Sequence, residues 1–73
     1  MESKYIDLRL AIGELVIAGH EVRLETHDAP SGNRTWLFDD TAHENLYCFR
    51  DGTGWKVKRE VIQDWIDSAK VSN

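Results

Sequence analysis

Two short runs, Trp36-Leu37-Phe38 and Leu46-Tyr47-Cys48-Phe49, are apolar at every position. In a strand, successive side chains point to opposite faces, so a strand of this kind needs cover on both sides. A chain of 73 residues buries only about 60% of the surface that its unfolded form exposes. Covering both faces of a sheet is more than one thin core supplies. Apolar sheet surface is therefore expected to be left for another molecule.

Turn residues divide the rest of the chain. They cluster at Asp28-Ala29-Pro30-Ser31-Gly32-Asn33, at Asp39-Asp40-Thr41 and at Asp51-Gly52-Thr53-Gly54. Before them, residues Lys4 to Ala18 read as a helix, with Ser3 as its cap and Gly19 as its stop. Its main apolar face is Tyr5, Leu8, Ala11, Ile12, Leu15, Val16 and Ala18. Ile6, Leu10, Gly13 and Ile17 form a second stripe on nearly the opposite side. His20 to His27 alternates as a half-exposed strand, with Val22, Leu24 and Thr26 to one side. Arg34 to Phe38 and Asn45 to Arg50 read as strands two and three. Thr41 with Glu44 also fits a capping box, which would make residues 42–48 helical; the aromatic content favours strand. After an Asp-Gly turn, Trp55 to Lys58 is a fourth strand. Arg59 to Ala69 is an amphipathic helix with Val61, Ile62, Trp65, Ile66 and Ala69 in one stripe.

The expected architecture is a single α+β domain over residues 1–73. It has about four mainly antiparallel strands in the order α-β-β-β-β-α, with an N-terminal and a C-terminal helix. Three Trp, two Tyr and two Phe argue against disorder. Cys48 is the single cysteine, so no internal disulfide forms, and the chain reads as cytoplasmic. Leu10 to Gly19, its longest strongly apolar stretch, is too short to cross a bilayer. The small size fits a bacterial or mobile-element protein.

No chemical constellation stands out. His20, His27, His43 and Cys48 lack the paired spacing that presets metal ligands. His20 follows a helix end and His27 precedes a turn, which are usual surface positions. Cys48 lies between Tyr47 and Phe49, the setting of a buried, inert thiol. Asp39, Asp40 and Glu44 sit in a loop, where carboxylates usually face water. Gly52-Thr53-Gly54 lacks the further residues of a phosphate loop. The expectation is a chain that is not an enzyme, takes no cofactor or metal, and shows no small-molecule substrate.

Charge adds one feature. The formal net charge is −4, yet residues 50–60 carry Arg50, Lys56, Lys58 and Arg59 against Asp51 and Glu60. Gly54-Trp55-Lys56-Val57-Lys58-Arg59-Glu60-Val61-Ile62-Gln63-Asp64-Trp65-Ile66 resembles the wing strand and last helix of excisionase-type winged-helix domains. The resemblance covers about one-sixth of the chain, and upstream four strands stand where a recognition helix would lie. It implies phosphate contacts from Lys56, Lys58 and Arg59.

Three functions follow in order of weight. The first is a small protein-interaction module that self-associates as a homodimer or binds a partner protein, with Ile6, Leu10, Gly13 and Ile17 as the contact stripe. The second is a nucleic-acid-binding accessory protein using Arg50, Lys56, Lys58 and Arg59. The third is an acidic mimic of nucleic acid, in which Asp39, Asp40, Glu44 and Asp51 share one face.

Overall fold

The computed structural model describes residues 3–52 and 54–71, with the backbone alone at 51 and 69–71. The fold is α+β. β1 is Tyr5–Asp7, α1 Leu8–Ile17, β2 Val22–His27, β3 Arg34–Asp39, β4 Glu44–Asp51, β5 Gly54–Lys58 and α2 Arg59–Val71. The five strands form one antiparallel sheet in the order β1-β5-β4-β3-β2.

The five strands include one more than the sequence reading. Tyr5–Asp7, expected as the first turn of the helix, pairs with β5, Ile6 facing Val57. The helix starts later because its cap does. The Asp7 carboxylate accepts the Arg9 N–H at 3.0 Å, so Asp7 rather than Ser3 closes the N-terminus of α1. Ile6 is consequently a strand residue, 5% exposed and packed in the core. It cannot belong to an outward helical stripe. Leu10, Gly13 and Ile17 do stand together on the outer side of α1, Leu10 63% and Ile17 88% exposed. The capping box at Thr41 does not form a helix either. Thr41 Oγ1 instead accepts the Glu21 N–H at 2.8 Å, and Glu44 opens β4. Thr53, expected in the β4–β5 turn, lies outside the described residues.

Both helices lie on one face of the sheet. Register places Ile6, Val57, Cys48, Leu37, Thr35 and Asp39 on the same side. Ile6, Val57, Cys48 and Leu37 join Leu8, Ala11 and Leu15 of α1 and Ile62, Trp65 and Ile66 of α2 in a single core. Ile62, Trp65 and Ile66 of the stripe read from α2 are therefore its buried face, with Val61 partly buried beside them, while the Ala69 side chain lies outside the described residues. A two-layer molecule results, with principal extents of 43 × 30 × 15 Å. Among the described residues, no helix is long and apolar enough to cross a membrane.

The end of α1 has a specific geometry. Gly19 takes a positive φ of 92°, its N–H donates to the Val16 carbonyl, and the His20 N–H donates to Leu15. This paired closure is a Schellman motif, which turns the residue after the glycine back onto the helix. It carries His20 inward, against expectation.

Candidate functional site

Among the described residues, no helix lies over the opposite face of the sheet. Alternation fixes which side chains it receives. Trp36 and Phe38 of β3, Tyr47 and Phe49 of β4, and Tyr5 of β1 all point there, because their neighbours Leu37, Cys48 and Ile6 point inward. The strand register sets them in rows across the sheet. One row runs Glu25, Trp36, Tyr47 and continues in line through Lys58 to Tyr5. The next runs His27, Arg34, Phe49, Lys56 and Asp7. Arg23, Phe38 and Asn45 make a third.

These aromatics pack on one another rather than under a lid. Trp36 and Tyr47 meet edge to face with centroids 5.2 Å apart, and Tyr5 and Phe49 do so at 4.9 Å. The Arg23 guanidinium covers the Phe38 ring at 4.5 Å. Mutual packing leaves Trp36, Phe38 and Phe49 half-buried, while Tyr47 keeps 43% and Tyr5 38% of its surface exposed. Charge on this face is mixed. Arg23 pairs with both Glu25 and Asp40, and Glu25 also meets His27 at 3.0 Å. Lys56 and Lys58 make no ion pair among the described residues.

The basic island of the sequence is not one surface. Lys56 and Lys58 lie on the open face beside Phe49 and Tyr5. Arg50 lies on the other side of the sheet, its guanidinium 5.6 Å from the Trp55 ring. Arg59 opens α2 and reaches back, Nε donating to the Ser3 carbonyl at 3.0 Å and Nη2 to Tyr5 at 3.5 Å. It clamps the β1 edge strand, as does its own N–H on the Lys4 carbonyl. The acidic cluster is likewise divided, since Asp39 is 1% exposed while Asp40 and Glu44 face water.

Asp39 and His20 form a buried pair that sequence reasoning placed at the surface. His20 Nδ1 donates to Asp39 Oδ2 at 2.5 Å, and both side chains are almost wholly buried. Asp39 Oδ1 accepts the N–H groups of Thr41 and Ala42, each at 3.0 Å, and so builds the β3–β4 turn. His20 Nε2 is buried without a partner among the described residues. Parity alone carried the signal: Leu37 is core, and Asp39 is two residues further along the same strand. The pair joins the end of α1 to the end of β3, a structural tie behind the open face.

Cys48 is fully buried, and burial pushes its thiol from 9.0 up to about 11. Between these values the unfolded chain releases the proton while the folded chain keeps it. Stability is therefore expected to fall by about 2–3 kcal/mol as pH rises across that window. Denaturant titrations at each pH, compared with Cys48→Ala, read this term as the slope that the variant lacks. Among the described residues, no three His, Cys, Asp or Glu side chains gather in a way that could hold a metal ion.

What the open face offers is contact chemistry: aromatic edges, apolar area and a few cations on a five-stranded sheet. Compared with protein-family models, with curated proteins and with solved structures, the chain matches none of them.

Proposed function

We propose that the chain is a non-enzymatic protein-interaction module whose contact surface is the open face of its sheet. One observation carries this reading: Tyr5, Trp36, Phe38, Tyr47 and Phe49 share a face that neither helix covers. Exposed apolar patches of this kind mark protein contacts, and Tyr, Trp and Arg dominate the energetics of such contacts. The original stripe keeps a lesser part. Leu10 and Ile17 are exposed on α1 and Gly13 between them is half-buried, but without Ile6 they make a narrow ridge.

The test compares captured proteins. Tagged wild type and a folded Tyr47→Glu variant are exposed to an extract of the native host cell. Loss of the captured proteins with Tyr47→Glu, but not with Ile17→Asp, is the expected result. Identical capture by all three overturns the reading. Ile17→Asp itself is expected to stay folded, within about 0.5 kcal/mol of wild type by thermal unfolding, because the site is solvent-exposed.

A second reading has a specific observation behind it. Lys56, Lys58 and Arg34 interleave with Phe49, Tyr5 and Trp36, the layout on which single-stranded nucleic acid stacks. The net charge of −4 weighs against it. Anisotropy of a labelled single strand at low salt decides: binding that weakens steeply with salt and vanishes in Lys56→Glu/Lys58→Glu would favour nucleic acid.

A further inference from the structure

We infer that the occupant of the open face is a second copy of this chain, docked sheet to sheet about a two-fold axis. This rests on the reading of that face as a protein contact and names the partner. Three observations carry it.

The first is area. The chain exposes 5384 Å², whereas a compact monomer of 8.4 kDa exposes about 4600 Å². The excess is close to the roughly 800 Å² that each partner buries in a stable interface. The radius of gyration agrees, at 12.6 Å against about 11 Å for a compact chain of this length. The second is layering. The molecule is one sheet and one helix layer thick, 15 Å along its short axis. Two such halves stacked through their sheets make a four-layer particle with both apolar faces of β3 and β4 covered. That is the cover which Trp36-Leu37-Phe38 and Leu46-Tyr47-Cys48-Phe49 require and the single chain lacks.

The third is self-complementarity, which a two-fold contact demands. β4 is the middle strand of the five. An axis running along β4 lays β5 over β3 of the copy and β1 over β2. The row Glu25, Trp36, Tyr47, Lys58, Tyr5 then meets itself reversed. Lys58 comes over Trp36 of the copy and Glu25 over Tyr5, while Tyr47 meets Tyr47 at the axis. In the adjoining row Asp7 comes over His27, and Phe49 meets Phe49. Arg34 and Lys56 are the like-charged juxtaposition. Both have long stems that carry their charges outward to the rim.

Sedimentation equilibrium tests this across a dilution series, on wild type, Tyr47→Glu, Trp36→Ser and Ile17→Asp, each checked for fold by circular dichroism. Wild type and Ile17→Asp are expected near twice 8.4 kDa at the concentrated end. Tyr47→Glu and Trp36→Ser raise the dissociation constant by about thirtyfold or more. Weak response of the dimer to salt is also expected, since apolar contact dominates it. A dimer that survives Tyr47→Glu and Trp36→Ser but is lost in Ile17→Asp overturns the proposal and moves the contact to α1. A wild type that stays at one chain throughout overturns it too. If host proteins are then still lost on Tyr47→Glu, the face belongs to a different protein; if capture does not differ, the protein-contact reading falls with it. Salt-sensitive binding of a single strand by a monomer assigns the face to nucleic acid and overturns both.

Discussion

Asp39→Ala is expected to unfold most of the protein's stability margin. The Asp39 carboxylate holds three donors: His20 Nδ1–H and the backbone N–H groups of Thr41 and Ala42. Truncation leaves a buried imidazole with neither nitrogen satisfied, because Nε2 is already without a partner among the described residues. Leaving these buried and part-buried donors without an acceptor costs about 1–3 kcal/mol each. A domain of this length has a total stability of roughly 4–11 kcal/mol at typical per-residue values. The variant is thus expected to be partly or wholly unfolded at room temperature, as read by denaturant titration. Asp39→Asn should do less harm. Its amide oxygen can still accept the two turn N–H groups, and the imidazole can adopt its other tautomer to accept from the amide. A loss below about 1 kcal/mol for Asp39→Ala would contradict the buried pair.

Trp65→Ala is the second large effect, and it is sharpest beside Trp36→Ala. Trp65 is 6% exposed and anchors α2 in the core with Ile62 and Ile66. Its removal costs about 3–5 kcal/mol through lost apolar burial and the cavity left behind. Because the cost arises within one chain, it is the same at every protein concentration. Trp36 lies on the other face, edge-on to Tyr47. On dilution its truncation removes only that edge contact and part of its own burial, about 1 kcal/mol. At high concentration the cost grows, because the associated state stabilises the wild type by mass action. Equal, concentration-independent losses for the two tryptophans would mean that both faces of the sheet are covered within the chain.

Four strands and the second helix were legible from alternation, from unbroken apolar runs and from the turns between them. Val22–His27, Arg34–Asp39, Glu44–Asp51, Gly54–Lys58 and Arg59–Val71 lie within one or two residues of the segments that pattern and turns define. β1 was not legible. Three residues show no period, and Tyr5 and Ile6 fit helical stripes as well as strand alternation. Its reason for being a strand is Val57, more than fifty residues away in the chain. The stripe at Ile6 failed for that cause alone, while Leu10, Gly13 and Ile17 kept their shared side of α1.

The candidate face was legible in its chemistry and not in its orientation. Runs apolar at consecutive positions announced a sheet with two apolar sides. Choosing which side stays open required knowing that both helices cover the face of Leu37, Cys48 and Val57. The same tertiary fact divides the basic island. Lys56 and Lys58 alternate with Trp55 and Val57, so they take the open face, while Arg50 shares the covered side with Trp55. His20 was missed because Gly19 turns it inward, and a surface position is the usual reading of a residue past a helix end.

Hydroxyl-radical footprinting over a dilution series measures the open face most directly. In dilute protein, Tyr47, Tyr5 and Trp36 are expected to oxidise readily and Trp65 hardly at all. As concentration rises, Tyr47 and Trp36 become protected, while Leu10 and Ile17 on α1 oxidise as before. Protection of Leu10 and Ile17 in place of the aromatics, or a pattern unchanged at every concentration, would contradict the assignment of the open sheet face as the surface where this chain meets its own copy.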